Sequence, residues 1–152
     1  MRSDEEPASS GASDAAVAPG DGRLDPFELT VLARPHAPAA ARAALGEWLG
    51  ESVSDGLLDD ARLLLTELVT NCVRHGHLAA DAPIWISADL ANGILRLEVR
   101  DPGEHGTVSP RTPNLTIGGG YGLHLVDLLA ARWGINRTRG THVWLELAHT
   151  AA

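Results

Sequence analysis

Apolar and polar positions alternate along this chain in two rhythms, one of period two and one of period 3.6, and their succession outlines the fold. Phe27-Glu28-Leu29-Thr30-Val31-Leu32 alternates strictly, as a strand with one buried face does. Pro35 and Pro38 interrupt it, and alanine-rich Ala39 to Leu49 follows as a helix with an apolar edge of Leu45, Trp48 and Leu49. Gly50 to Gly56 connects to a longer helix that Ser54 or Asp55 is placed to cap. On that helix Ala61, Leu64, Leu65, Leu68 and Cys72 share one face, while Glu67, Asn71, Arg74 and His75 recur at three- and four-residue spacing along its border. Gly76 to Pro83 reads as a loop. Ile84 to Leu90 and Leu95 to Val99 then read as hairpin strands about Asn92-Gly93, a pair suited to the positive φ angles of a tight turn. Gly122 to Ala131 returns to helical spacing through Leu125, Val126, Leu128 and Leu129. Trp133 to Asn136 and Thr141 to Leu147 end the pattern as two strands joined by the turn Arg137 to Gly140.

Three polar stretches interrupt this frame. Glu67 and Asn71 stand one helical turn apart, roughly 5–6 Å, which suits a carboxamide oxygen facing a hard cation and a carboxylate accepting a proton nearby. The same spacing also fits a solvated helix edge. Asp101-Pro102-Gly103 follows a buried strand, where the carboxylate can accept from a ligand while the backbone turns sharply. Gly118-Gly119-Gly120-Tyr121-Gly122-Leu123 precedes and opens an apolar helix, leaving backbone N–H groups for phosphate oxygens. Between the last two lies Thr107 to Ile117, with two prolines, no period, and Arg111 as its single cation.

Composition restricts the partners. With 152 residues and a hydrophobic fraction of 44%, the chain has room for one domain with a true core. Residues 1–24 show neither period and are expected to be a disordered acidic tail, with the domain over 25–149. Six acids against two arginines through Asp25 give −4, half the formal net charge of −8. That balance argues against general nucleic-acid binding, which needs basic surface. No apolar run is long enough to span a bilayer, no signal-peptide core precedes the domain, and a cytoplasmic location is expected. All twelve cations are arginines, which excludes a P-loop lysine or a kinase-type strand lysine. Cys72 is the single cysteine and suits core packing; with His75 and His77 it would give only three metal ligands at an unusual spacing. Trp85, Trp133 and Trp144 read as core or sheet-face residues, since no basic groove accompanies them.

The order polar helix, strand-Asp-Gly, glycine-rich helix start resembles the GHKL ATPases: gyrase, the heat-shock chaperone, histidine kinases and mismatch-repair MutL. Their N, G1 and G2 boxes correspond to Glu67 to His75, Asp101-Pro102-Gly103 and Gly120-Tyr121-Gly122-Leu123. Gly140-Thr141 and the strand after it are similar to the end of the small single-domain members, the anti-sigma-factor serine/threonine kinases and their actinobacterial relatives. The similarity covers roughly residues 27–148. It departs from the family in the G1 box, where Gly106 falls one residue later than DxGxG requires and the acidic Glu104 stands near the lid.

The resemblance implies an α+β fold, a two-layer sandwich with a mixed, mostly antiparallel sheet and helices on one face. It implies ATP as ligand, with Asp101 on the adenine amino group and Thr141 supporting it. It implies Mg²⁺ on Asn71, phosphates along Gly118, Gly119, Gly120, Tyr121, Gly122 and Leu123, and Glu67 as general base. Gly103 belongs to the nucleotide-binding set, and Arg111, in what the family uses as an ATP lid, is a candidate for a phosphate. His75 is open between orienting its neighbours and being an ordinary hydrogen-bonded histidine. The implied activity is transfer of the ATP γ-phosphoryl group to a Ser or Thr of a STAS-type antagonist, with a sigma factor as second partner; members of this group often form homodimers. Alternatives are a nucleotide-dependent binding module without transferase activity, a detached histidine-kinase domain, and a gyrase- or MutL-like hydrolase.

Overall fold

The computed structural model describes residues 24–103 and 122–148. Its elements run β1 (Phe27–Leu32), α1 (Ala37–Leu49), α2 (Asp55–His75), β2 (Pro83–Ala91), β3 (Ile94–Asp101), α3 (Gly122–Leu129), β4 (Arg132–Asn136) and β5 (Thr141–Ala148). The five strands form one sheet in the order β1-β2-β3-β5-β4, and every pairing among them is antiparallel. With three helices laid on one side of that sheet, the protein has the expected α+β architecture.

Side-chain alternation fixes which side the helices cover. On β3, Leu95, Leu97, Val99 and Asp101 are buried beneath the helices, while Ile94, Arg96, Glu98 and Arg100 face the other way. The core joins these to Ile84, Ile86 and Leu90 of β2, Leu145 and Leu147 of β5, and Leu64, Leu65, Leu68 and Val69 of α2. Each fully buried leucine contributes roughly 1.5–3 kcal/mol relative to exposure. A one-residue slip of β3 would bring Arg96 and Glu98 into that core and Asp101 out of it, so the register also fixes the site.

Local chemistry places the ends. Asn92 and Gly93 adopt φ of 53° and 74°, so the β2–β3 hairpin closes in two residues and Ala91 pairs with Ile94. The Ser54 side chain accepts from the Leu57 N–H at 3.2 Å and starts α2. Helix α1 begins at Ala37, two residues ahead of the sequence expectation, because Pro38 occupies its first turn, where no N–H is needed. Leu24, assigned to the tail from sequence, lies against the core, and its N–H reaches the Leu90 carbonyl at 3.4 Å.

The uncovered side of the sheet is polar. Glu98 receives Arg96 at 3.3 Å and His142 at 3.0 Å, and Trp144 lies across Gly134 with the Arg96 guanidinium 4.5 Å from its ring centre. Burial pushes the Glu98 carboxyl up, but its bonds to Arg96 and His142 outweigh this and hold it below the ordinary carboxylate value. Trp85 stands exposed on the same face, whereas Trp133 turns toward the helices and donates to Asp127 at 3.1 Å. Among the described residues no helix is long and apolar enough to cross a membrane.

Candidate functional site

Four elements meet at one end of the core, and three of them bring polar groups there. Asp101 is the last residue of β3 and is only 2% exposed. Its register partner across the sheet is Thr141, the first residue of β5, 3% exposed. The Gly103 N–H donates to Asp101 Oδ1 at 2.7 Å, and the Thr141 hydroxyl donates to the Gly103 carbonyl at 3.1 Å. The chain therefore folds back after the strand, as the Asp-Pro-Gly sequence suggests, and Thr141 clamps that turn. From the helix layer, burial pushes the Cys72 thiol of α2 well above its ordinary value, and the charge of nearby Asp101 acts in the same direction.

These groups surround a cavity of about 20 Å³. Asn71 and Cys72 of α2, Asp101 of β3, Leu123 of α3 and Thr141 of β5 line it, with Leu68, Val99, Ile135 and Val143 as apolar wall. The Oδ1 atom of Asn71 is buried and has no hydrogen-bond partner among the described residues. A buried acceptor left in that state costs about 1–3 kcal/mol, which a cation or ligand donor at the cavity would offset. An amide oxygen is a hard ligand of the kind Mg²⁺ takes, so Asn71 fits the metal that the fold family implies.

The residues singled out from sequence fall into three groups. Asn71, Asp101, Leu123 and Thr141 meet at the cavity. Glu67 is half-buried one turn earlier on α2 and does not line the cavity, and Gly122 is the first residue of α3. Arg111, Gly118, Gly119, Gly120 and Tyr121, together with Glu104 and Gly106, lie outside the described residues. His75 is the last residue of α2 and His77 is exposed at φ 52°. Among the described residues no group of three His, Cys, Asp or Glu side chains is placed to hold a metal ion.

Two glycines hold the turn in place, only one of them singled out from sequence. A Cβ on Gly103 would overlap the Gly76 carbonyl oxygen, so the turn after Asp101 rests directly on the end of α2. Gly140, at φ 76°, passes so close to the Asp101 carbonyl that a Cβ would overlap it. Its signal in the sequence was a turn glycine directly before Thr141, but the contact is tertiary. Gly103→Ala is expected to lower unfolding free energy by about 1–3 kcal/mol, because backbone on both sides must shift. Gly56→Ala, with nothing near its Cβ in the first turn of α2, is expected to raise it by about 0.5–1 kcal/mol. Urea unfolding of both variants checks this; equal midpoints would refute the contact.

A larger depression of about 670 Å³ lies on the uncovered sheet face, lined in part by Glu28, Trp85, Ser87, Glu98, Arg100 and His142. Its charge is mixed, with Glu28, Glu98 and Asp101 against Arg100, Arg139 and His142, and the buried Asn71 Oδ1 lines the small cavity and not this depression.

Comparison with known proteins bears on the same convergence. A family model described as a histidine kinase-like ATPase domain matches residues 31–147. Among solved structures, the crystal structure of the RsbU and RsbW domains of Rv1364c from Mycobacterium tuberculosis is similar with a TM-score of 0.67 and 26% identity. The similarity covers 84% of this chain and 33% of that one, so the present chain accounts for a third of that protein's length. No curated protein is a significant match.

Proposed function

Because the chain belongs to the histidine kinase-like ATPase domain family, we propose that the cavity between α2, β3, α3 and β5 is its ATP site and that the protein is a serine/threonine kinase of the anti-sigma-factor type. The observation that carries the reading is the buried, unpartnered Asn71 Oδ1 beside the buried carboxylate of Asp101. Asp101 accepts from the adenine 6-amino group, and Thr141 keeps the adjoining turn in place. A cavity of about 20 Å³ holds little more than one water, so base binding requires its walls to move apart. Asn71 would hold Mg²⁺, whose charge offsets that of the phosphates. Since the chain has no lysine, the phosphates rest on backbone N–H groups, for which the glycine run from Gly118 is suited, and on arginine.

In the transfer step a Ser or Thr hydroxyl of the partner attacks the γ-phosphorus as its proton passes to Glu67. The bond from that phosphorus to the β–γ bridging oxygen breaks, and ADP leaves. Alignment and charge neutralisation account for most of the acceleration. The similarity to a protein that contains RsbU and RsbW domains supports a sigma-factor-control setting, with a STAS-type protein as acceptor and a sigma factor as second partner.

Titration with Mg-ATP, with and without chelator, followed by label transfer to a STAS-domain acceptor, tests the reading. Asn71→Ala is expected to weaken Mg-ATP binding more than tenfold, over 1.4 kcal/mol, with the difference from wild type shrinking in chelator. Wild-type protein that binds no ATP would overturn the site. Binding without label transfer would leave a nucleotide-dependent binding module in place of a kinase.

A further inference from the structure

We propose that the depression on the uncovered face of the sheet is a docking site for this chain's own N-terminal segment, with the acidic run Asp4-Glu5-Glu6 seated on Arg100 and Arg139 and Pro7 against the exposed Trp85. The inference is independent of what the small cavity binds. Strand register sets Thr30, Trp85, Arg100 and His142 in one row across β1, β2, β3 and β5, and Glu28, Ser87 and Glu98 in the next row. The acids of the depression are mostly engaged. Asp101 is buried on the helix side of its strand, and Glu98 is held by Arg96 at 3.3 Å and by His142 at 3.0 Å. Among the described residues Arg100 and Arg139 have no ion pair or hydrogen-bonded side chain, so two guanidiniums stand against the single carboxylate of Glu28. This local surplus of cation, on a chain of net charge −8, selects an acidic occupant, since the guanidinium fork takes carboxylates in paired bonds.

Residues 1–23 carry five acids against two arginines, and three of those acids are consecutive, with Pro7 directly after them. Proline docks on exposed aromatic rings where extended peptides are recognised, which suits the Trp85 indole beside Arg100. The reach also fits. The chain enters β1 beside the Leu90 carbonyl, which accepts from the Leu24 N–H at 3.4 Å. From Leu90 back to Trp85 is about 17 Å at the rise of an antiparallel strand, and Arg100 stands about 5 Å across on the adjoining strand. A structureless chain as long as the separation of Glu6 from Leu24 has an r.m.s. span of about 21–25 Å. Single surface ion pairs are weak, but a tether whose span matches the distance gives an effective concentration on the order of millimolar, which favours this segment over a free acidic peptide.

Nuclear magnetic resonance of the full chain tests the contact through the Trp85 indole N–H and the Arg100 and Arg139 Nε–H signals. One variant combines Asp4→Asn, Glu5→Gln and Glu6→Gln, removing three charges without altering any residue of the sheet. All three signals are expected to shift in it. They are expected to move the same way in wild type as NaCl is raised to about 1 M, where the screening length falls to about 3 Å, and to move much less in the variant. The Trp48 indole, which donates to the Asp25 carbonyl at 2.9 Å, and the Trp133 indole, which donates to Asp127 at 3.1 Å, are expected to stay in place. Reciprocally, Arg100→Gln with Arg139→Gln is expected to shift the backbone N–H signals of Asp4, Glu5 and Glu6. Unmoved Trp85 and arginine signals in the acid variant, equal shifts at the two control indoles, or unmoved Asp4 to Glu6 signals in the arginine variant would each overturn the proposal. Shifts that disappear on dilution would seat a second copy's segment in the depression and overturn the intramolecular contact.

Discussion

Asp101→Asn is expected to weaken ATP binding about a hundredfold while the protein stays folded. The substitution preserves shape and leaves one oxygen to accept from the Gly103 N–H, so the turn after β3 keeps its 2.7 Å bond. What changes is the other terminal atom. An acceptor becomes an NH₂ donor facing another donor, the adenine amino group of the proposed ligand. Hydrogen bonds to charged groups contribute about 1.5–3 kcal/mol, and in a site this buried the mismatched donors cannot turn to water. At 1.4 kcal/mol per tenfold, the upper half of that range corresponds to about a hundredfold. Calorimetric titration with Mg-ATP reads the loss, and a denaturant curve shows that unfolding is not its cause. Affinity within threefold of wild type would remove Asp101 from the base-binding role and leave it as a turn former.

That prediction depends on geometry of which only half was legible in the sequence. The alternation of Leu95, Leu97 and Val99 implies that Asp101 continues the buried set, and Asn92-Gly93 sets the hairpin that delivers it; both signals are local. The Glu67–Asn71 spacing likewise fixes where those side chains stand on α2, because a helix has one pitch. What could not be read is what meets across the layers. Cys72 and Asp101 share no local period, so nothing along the chain brings the two to one cavity. Gly140 looked like an ordinary turn glycine, yet its close approach to Asp101 depends on β5 pairing with β3, a long-range choice. Pro38 reads locally as a break, yet it opens α1, which therefore starts two residues before the alanine-rich pattern predicts. Arg111 and Gly118 to Tyr121 lie outside the described residues, so their part in the phosphate site stands on the resemblance alone.

Glu67→Gln separates binding from chemistry. Glu67 is one turn before Asn71 on α2, about 5–6 Å along the helix, and does not line the small cavity. In the proposed site it is assigned to a group arriving at the phosphate end and not to the base. Glutamine matches it in size and can accept a hydrogen bond through its amide oxygen, so the incoming hydroxyl can still be oriented. It cannot take up the proton. General base assistance contributes about 10²–10⁴-fold, so label transfer is expected to slow at least a hundredfold, with Mg-ATP affinity within about twofold of wild type. Asp101→Asn gives the opposite pattern, a loss in affinity that saturating ATP partly offsets. Single-turnover transfer at saturating ATP, with the acceptor in excess, isolates the step. A Glu67→Gln protein that transfers at the wild-type rate would exclude Glu67 as the base, and a parallel collapse of ATP affinity would place its carboxylate in the nucleotide site itself. Only a rate loss without an affinity loss supports proton removal by Glu67 at a distance from the adenine pocket.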